Sequence, residues 1–436
     1  MSDLHSLFQP HSGLFSRTEI LRAEADEPQI FTRVIRPDPI LDTCGDGLPP
    51  RRKAILLNGT GAALDEEGTW VPALAEALER HCATVFSEDE FIWASANELG
   101  DRAVDLDSFP VCSERELQNP ACPLVAPNKA EKIRWIQGLS LDNGELVYLP
   151  LVSVHITQPA VRSERFLSPI STGCAAHESY EAALLSAILE VVERDALSIA
   201  WLQKLRLPRI DFENPAAALG ELWETYQHSS KGLQVICFDA TTDLGIPVVY
   251  GLRVSSCDNR LRTVVACSSS FDPAAACRKI MLELASFAAW LRRTSDEVPA
   301  DLEDFNQLHH GASYMARHEQ AHAFDFLLNN DARIRLERVA ANSPAQSIDD
   351  KRTMLAMVIR HLKRLGYAIY AADLSTDEAV RSGMRVVRVV IPGLMPFSWI
   401  KRARYLGHAR LYQAPRVMGY PSRNEHELNP WPQPFG

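Results

Sequence analysis

The 436-residue sequence lacks the features that mark several large classes of protein. Its nine cysteines are scattered singly, without a Cys-x-x-Cys pair. That distribution argues against a structural zinc site, and an odd count fits reduced thiols in a cytosol. The N-terminus has neither the basic start nor the apolar run of a signal peptide, and no uncharged apolar stretch is long enough to span a bilayer. We therefore expect a cytoplasmic protein without a membrane partner.

Positive charge is also scarce. Lys and Arg number 45 against 56 Asp and Glu, which gives a net charge of -11. This balance argues against a nucleic-acid partner. Several catalytic motifs are missing as well: no G-x-x-x-x-G-K-[ST], H-E-x-x-H or G-x-S-x-G occurs. Their absence excludes a Walker-type phosphate loop, a zincin site and a nucleophile elbow.

One pattern that is present occurs twice: a small-residue turn followed by an apolar helix that ends in Glu-x-x-Glu-Arg. The copies span residues 56–82 and 170–196. They place Glu76, Glu79 and Arg80 in the first helix, and Glu190, Glu193 and Arg194 in the second. A weaker third copy, residues 263–293, places Glu283 in its helix. The repetition indicates a common purpose for these charges.

Residues three apart share a helix face, so each glutamate pair points in one direction. Taken singly, the Glu76–Arg80 and Glu190–Arg194 spacings could only stabilise their own helices. The repetition favours a shared site, because carboxylates in apolar helices need a cation or hydrogen bonds. Mg²⁺ takes carboxylate and phosphate oxygens, and small-residue turns at helix N-termini suit phosphates. The pattern therefore predicts a nucleotide site with magnesium.

The order of elements predicts an α/β (α+β) fold in which repeated strand–turn–helix units pack buried helices on mixed sheets. Helices are predicted over 71–86, 178–203, 272–293, 318–327 and 347–365, and a turn over 58–61. Strands are predicted over 30–35, 54–57, 146–154, 233–239, 246–254 and 263–270, with two more in YAIYAADL and RVVRVVIPGL. We expect an N-terminal extension (1–50), a main domain (51–423) and an extended Pro-rich tail (424–436).

The sequence resembles the YcaO family. The segment STGCAAHESYEAALLSAILEVVERDA looks like the central signature of that family. The first copy, VVACSSSFDPAAACRKIMLELASF and VVRVVIPGL follow in the expected order, so the resemblance covers roughly residues 10–436. The Pro-rich end, LNPWPQPFG, is similar to the tails of YcaO proteins that form azolines in ribosomal peptides.

This resemblance implies an ATP- and Mg²⁺-dependent cyclodehydratase. In such enzymes a Cys, Ser or Thr side chain of a precursor peptide attacks the preceding carbonyl, ATP phosphorylates the oxyanion, and loss of phosphate leaves a thiazoline or oxazoline. The implied metal ligands are Glu76, Glu79, Glu190, Glu193 and Glu283. The implied ATP contacts are Glu76, Arg80, Ser186, Glu190 and Arg194. The implied catalytic tail residues are Pro434, Phe435 and Gly436.

The resemblance also implies partners. No leader-binding module or Cys-rich E1-like domain is recognisable, and family members of this length use a separate E1-like or leader-binding protein. We therefore expect such a partner, a precursor peptide as substrate, and a homodimer. Three residues depart from the family pattern: Pro72 stands in place of Ser, Ser286 in place of Gln, and Gly436 in place of Pro.

Two alternatives remain open. A YcaO protein can activate the amide for another nucleophile, giving a thioamide or an amidine. Alternatively, the chain is a non-catalytic docking or scaffold subunit with a degraded nucleotide site, an interpretation that Pro72 and Ser286 favour.

Overall fold

The structure, a computed structural model, describes residues 3–11, 13–37, 58–156, 161–229, 232–294, 298–339, 341, 343, 344, 348 and 350–436. The strands are β1 (Phe15–Leu21), β2 (Phe31–Pro37), β3 (Gly59–Ala63), β4 (Phe91–Ala94), β5 (Ile133–Ser140), β6 (Leu146–Pro150), β7 (Cys174–His177), β8 (Arg209–Asp211), β9 (Leu233–Asp239), β10 (Val248–Ser255), β11 (Thr263–Ser269), β12 (Arg333–Arg335), β13 (Tyr370–Asp373) and β14 (Arg385–Val390).

The α-helices are α1 (Trp70–Cys82), α2 (Ala96–Leu99), α3 (Glu114–Gln118), α4 (Leu151–Val154), α5 (Tyr180–Leu202), α6 (Pro215–Leu219), α7 (Glu221–Gln227), α8 (Pro273–Thr294), α9 (Leu308–Met315), α10 (Asp325–Leu328), α11 (Lys351–Arg364), α12 (Asp377–Arg381) and α13 (Arg410–Val417). None of the helices in these described ranges is long and apolar enough to cross a membrane. The mixture of helices and sheets confirms the predicted fold class.

The strands form three sheets. The first has the order β1-β2-β3 and is antiparallel. The second has the order β11-β10-β9-β8-β12, with only the short β12–β8 pair parallel. The third has the order β4-β5-β13-β14-β7, and β6 pairs with β5. The strands predicted over 233–239 and 246–254 form an antiparallel hairpin, in which β9 and β10 pair from Asp239–Val249 to Leu233–Ser255.

The three helices that carry the repeated glutamates alternate with these sheets. Helix α1 packs on β3 of the first sheet and β7 of the third, and α5 packs on β14 of the third sheet and β11 of the second. Helix α8 packs on β11 and returns to β3. Each helix is therefore covered on two sides, which is why its sequence is largely apolar. The arrangement brings the three helices to a common centre.

Several predicted boundaries were wrong. Residues 58–61 do not form a turn, because Gly59–Ala63 is strand β3. A Cβ atom at Gly59 would lie 2.1 Å from the Ala73 carbonyl oxygen, so this glycine lets β3 approach α1 closely. The predicted strand over 146–154 ends at Pro150, and residues 151–154 form a helical turn. Helix α1 ends at Cys82 instead of residue 86, because the N–H groups of Ala83 and Thr84 close its last turn.

Other predictions hold with small shifts. The second and third glutamate helices run over Tyr180–Leu202 and Pro273–Thr294, within two residues of their predicted bounds. The 318–327 segment is a 3₁₀ helix followed by α10. The predicted strand over 54–57 lies outside the described residues. The division into three domains stays a prediction, although β1 and β2 lie within residues 1–50 and β2 pairs with β3.

A buried ion pair ties the central helix to the C-terminal region. Asp195 is fully buried on α5, and its two carboxylate oxygens accept hydrogen bonds of 2.6 Å from the Arg410 guanidinium. Arg410 also donates to Asp243 at 3.0 Å and to the Tyr367 hydroxyl at 2.6 Å. The Met395 N–H donates to Asp195 at 2.7 Å. Helix α13 and the loop before it are thus fixed to α5.

The predicted tail contains a 3₁₀ turn at Glu425–Glu427 and is extended, as predicted, from Leu428 onwards. The Asn429 N–H donates to the Leu202 carbonyl at the end of α5, at 2.8 Å. Arg404 donates to the Asn429 carbonyl at 2.8 Å, and the Trp201 indole donates to the Trp431 carbonyl at 3.4 Å. Extended chain has no internal hydrogen bonds, so these contacts decide its path.

We expect Asp195→Ala to lower the free energy of unfolding by about 3–5 kcal/mol, because it leaves the buried Arg410 charge without its main partner. The control, Asp377→Asn, removes an exposed pair with Arg381 and should change stability by less than about 1 kcal/mol. Urea unfolding of the two variants measures the difference. Equal, small effects would contradict the anchoring role of this pair.

Candidate functional site

A backbone N–H group in each of the three repeated units donates to a glutamate carboxylate. The Glu76 carboxylate accepts from the Thr60 N–H and hydroxyl, both at 2.6 Å. The Gly173 N–H donates to Glu190 at 3.0 Å, and the Ser269 N–H donates to Glu193 at 3.1 Å. The small residues before each helix therefore donate to glutamates. Strand β3 includes the first of these segments and strand β7 follows the second, so these two do not open directly onto helix N-termini, and their contact with phosphate stays a prediction.

Arginines on the same helices pair with the glutamates. Arg80 donates to Glu76 at 2.6 Å, across one helical turn. Arg194 contacts Glu190 at 3.3 Å and makes a short ion pair with Glu193. The simplest interpretation of the sequence, helix-stabilising ion pairs, is therefore part of the structure. It does not account for every carboxylate of the cluster.

Glu79 is the exception, because it accepts no hydrogen bond from the residues that the structure describes. Burial raises the pKa of its carboxyl well above the usual range, and the nearby Glu190 and Glu76 carboxylates raise it further. Glu79 and Glu190 come from different copies of the repeat. The structure thus brings the first and second glutamate sets together, and it leaves Glu79 without a donor.

The third unit extends the cluster and supplies a cation that sequence reasoning missed. Lys279 forms an ion pair with Glu283 at 3.5 Å, and the pKa of the lysine is raised, first by Glu283 and then by Glu193 and Glu190. Its side chain is 61% accessible, so its ammonium can meet an incoming ligand. The available signal was the i,i+4 spacing of Lys279 and Glu283 in the third helix.

The end of the tail reaches this cluster. The Phe435 ring lies over the Arg194 guanidinium, 4.3 Å from the ring centre, and it packs edge-on against Phe397 at 5.6 Å. Pro434 is buried beside it, and Gly436 lies against the Phe287 ring. The predicted tail residues and the predicted Arg194 are therefore in contact or adjacent.

The structure gives no partner to another predicted residue. Ser186 is exposed on α5, one turn before Glu190, and makes no hydrogen bond within the described part of the chain. Of the departures from the family pattern, Pro72 is exposed in the first turn of α1, and Ser286 is half-buried on α8. The roles of all these residues in ligand binding stay predictions.

The carboxylate oxygens of the cluster are suitable ligands for a divalent cation, but their present arrangement does not gather them around one point. Among the described residues, no three or more His, Cys, Asp or Glu side chains are gathered closely enough to hold a metal ion. The cause is visible in the ion pairs, since Arg80 and Arg194 hold three of the five glutamates. Burial also raises the pKa of Glu190 and Glu193, more than Arg194 offsets. A cation beside these carboxylates would favour their charged forms and so lower their pKa values.

A family profile described as YcaO cyclodehydratase, ATP- and Mg²⁺-binding, matches residues 58–395. The chain belongs to the YcaO family. This confirms the family resemblance of the sequence. The match contains Glu76, Glu79, Glu190, Glu193 and Glu283, whereas the tail follows the matched region.

Solved structures share the fold of this YcaO protein. One, described as a heterocyclase in complex with substrate and cofactor, has a TM-score of 0.80 and 23% identity, and the match covers 100% of this chain. The YcaO from Methanopyrus kandleri bound with AMPPCP and Mg²⁺ has a TM-score of 0.60, 17% identity and coverage of 87% and 85% of the two chains. The Escherichia coli microcin synthetase McbBCD complex with pro-MccB17 bound gives 0.63, 13% and 98% of both chains.

The first of these proteins is longer than the present chain, which spans 58% of its length. A curated relative, an uncharacterized protein in the tfuA 3′ region of Rhizobium leguminosarum bv. trifolii, is 27% identical over 192 residues. That stretch is 43% of each of the two proteins. At these identities the solved structures establish the fold of the chain.

The raised pKa of Glu79 predicts how stability depends on pH. The folded chain keeps this proton at pH values where the unfolded chain has released it, so the free energy of unfolding falls as pH rises above the ordinary carboxyl pKa. Glu79→Gln removes the titration. We expect this variant to be more stable than the parent by about 1 kcal/mol or more near pH 8, and to lose that advantage near pH 4.

Thermal unfolding across this pH range measures the effect. Glu213→Gln, at an exposed loop position, is the control and should follow the parent at every pH. A Glu79→Gln variant that is less stable than the parent near pH 8 would mean that the Glu79 carboxylate contributes favourably to the fold.

Proposed function

We propose that this YcaO protein is an ATP- and Mg²⁺-dependent cyclodehydratase subunit that acts on a ribosomal precursor peptide. It activates a backbone amide so that a neighbouring Cys, Ser or Thr side chain cyclises to a thiazoline or oxazoline. The observation that carries the proposal is the meeting of three glutamate helices and the chain's own tail at Arg194. The family profile supports the nucleotide and the metal.

The charged groups divide into two sets by their chemistry. Arg80, Arg194 and Lys279 are cations already held in position, and phosphate oxygens are the acceptors that suit them. The glutamates supply the hard oxygen ligands that Mg²⁺ prefers. When bound, Mg²⁺ neutralises charge on the phosphate oxygens during phosphoryl transfer. The AMPPCP and Mg²⁺ in the Methanopyrus structure support this division.

The ion pairs imply that metal and nucleotide bind together. Arg80 and Arg194 form ion pairs with Glu76, Glu190 and Glu193. Phosphate oxygens that draw these arginines away would free the carboxylates for Mg²⁺. Each ligand thereby lowers the free energy of binding the other, and the coupling is reciprocal.

The proposed reaction proceeds through a phosphorylated amide oxygen. The side-chain thiol or hydroxyl releases its proton to solvent as its sulfur or oxygen bonds to the carbonyl carbon of the preceding residue. The carbonyl π bond breaks in this step, and the carbonyl oxygen becomes an oxyanion. That oxygen accepts the γ-phosphoryl group of ATP, which leaves ADP. Loss of phosphate from the carbon, with a proton from the amide nitrogen, leaves the C=N bond of the azoline. The tail would enclose this chemistry beside Arg194.

The substrate and partner follow from relatives. The McbBCD structure is a complex with pro-MccB17 bound, and the first matched heterocyclase contains its substrate. The present chain spans 58% of that heterocyclase. We infer a precursor peptide as substrate and a separate E1-like or leader-binding protein as partner. A homodimer and a cytoplasmic location stay expectations.

A different nucleophile, giving a thioamide or an amidine, is an alternative that uses the same phosphorylated amide. A scaffold subunit with a degraded nucleotide site is the other. Glu79 argues against the scaffold, because a half-buried carboxylate that accepts no hydrogen bond from the described residues lowers stability unless a ligand uses it. Nucleotide binding separates the scaffold from the two enzymes.

Our first functional test is calorimetric titration of the protein and of Glu193→Gln with Mg²⁺ and AMPPCP. We expect the substitution to weaken binding by tenfold or more, about 1.4 kcal/mol, with an unchanged melting temperature. Glu213→Gln serves as the matched control. Equal affinity in all three proteins would remove Glu193 from the site, and no binding by the parent, even with its partner present, would favour the scaffold.

Deleting residues 432–436 tests the tail. We expect ATP turnover to fall about tenfold while AMPPCP binding persists, because the deletion removes Phe435 from Arg194 and leaves the carboxylates in place. Phe435→Ala separates the ring from the remainder of the tail. Full turnover by the shortened chain would contradict a catalytic role for Pro434, Phe435 and Gly436.

A further inference from the structure

A helix outside the glutamate cluster forms the wall against which the tail lies. Helix α9 passes behind the tail, and Gly311 lies in its middle. A Cβ atom built at Gly311 would lie 2.2 Å from the Gln433 carbonyl oxygen and 3.2 Å from its carbonyl carbon. The first distance is far inside van der Waals contact, and the obstructing atoms belong to backbone. Only a residue without a side chain allows the tail to lie at this depth.

Contacts on either side of Gly311 fix the tail in place. The Trp431 ring lies 5.4 Å from the His322 ring and 6.3 Å from the Tyr314 ring, measured between centres. At the other end, a Cβ atom at Gly436 would lie 2.2 Å from the Phe287 ring, so the last residue lies against that ring. The Gln433 carbonyl is thus held between two points of contact.

A glycine inside a helix is locally unfavourable, because it increases the conformational entropy that folding must remove. Gly311 has no positive φ and does not lie in a turn, so its own backbone conformation does not require glycine. The approach of the Gln433 carbonyl is the feature of the structure that does require it. The residue is therefore suited to the tail contact at the expense of the helix.

We propose that Gly311 is a positioning residue for the reaction. The notch in α9, which is the space left by the missing side chain of Gly311, sets the depth at which the tail enters the site. Gln433 is two residues before Phe435, whose ring lies over Arg194. A shift of the Gln433 carbonyl away from α9 therefore moves the ring from the guanidinium. This inference rests on the proposed catalytic role of the tail, but its structural part can be measured without that role.

The test is Gly311→Ala, measured by release of C-terminal residues with carboxypeptidase Y followed by intact mass. We expect the parent to be resistant and the variant to lose Phe435 and Gly436 at least tenfold faster. The melting temperature should be unchanged or raised, because Ala is the better helix former. ATP turnover should fall through kcat, with the KM for ATP within about twofold of the parent value.

Two controls keep the result specific. Ser313→Ala changes the helix propensity of α9 without adding an atom, and it should leave the release rate and turnover unchanged. In the chain that ends at Trp431, Gly311→Ala should leave turnover unaltered relative to the same chain with glycine. That shortened variant should also fold at least as stably as its parent. If it does not, α9 itself requires the glycine and the inference is overturned.

The outcomes separate the inference from the proposed function. Parental release rate and parental turnover in Gly311→Ala would overturn the notch. Full turnover after deletion of the tail would overturn the catalytic role of the tail. Faster release in Gly311→Ala would still establish that the notch positions the tail. Faster release together with unchanged turnover would support the role of Gly311 in positioning the tail and contradict its role in the reaction.

Discussion

The contact of the Arg194 guanidinium with its neighbours is the interaction on which the site depends. The terminal nitrogens of the cation contact Glu190 and Glu193, and the Phe435 ring lies over the guanidinium. Burying any of these charges alone would be costly, and the pair of carboxylates makes the cation stable where it lies. Because one residue contacts both the carboxylates and the tail, the helix and the chain terminus cannot be placed independently.

Helix α5 transmits this constraint to the remainder of the protein. Arg194 faces the site, while its neighbour Asp195 holds Arg410. Helices α1 and α8 complete the cluster, each packed between two of the three sheets. The result is a set of like charges from distant parts of the chain, held together by a scaffold that is apolar elsewhere. Such clusters are common where ligands of opposite charge bind.

The sequence was sufficient for the fold class, the family and the principal helices, because the apolar runs around Glu190 and Glu283 are long and the glutamates repeat at fixed spacing. It was insufficient where local chemistry has two solutions. Asn58–Gly61 has the composition of a turn, but Gly59 serves close packing of β3 on α1. A glycine selected for contact and a glycine selected for a turn look identical in sequence.

Long-range pairing was also beyond the sequence. Asp195 follows Arg194 directly, but nothing local shows that Arg410, more than two hundred residues later, reaches it. The spacing of Lys279 and Glu283 is that of an ordinary helix ion pair and does not show that Glu190 and Glu193 lie near the lysine. Gly311 carries no motif, and its role depends on the Gln433 carbonyl, which a sequence pattern does not show.

The Asp195–Arg410 pair has a consequence for reading genetic screens. Met395 and Arg410 are attached to α5 immediately beside Arg194, so damage in residues 391–417 reaches the site through the helix. In a screen scored by product alone, substitutions in this region will resemble active-site lesions. Protein abundance, measured in parallel, distinguishes the two. Loss of the Asp195–Arg410 pair lowers the amount of folded protein, whereas loss of a site residue leaves the protein folded but inactive.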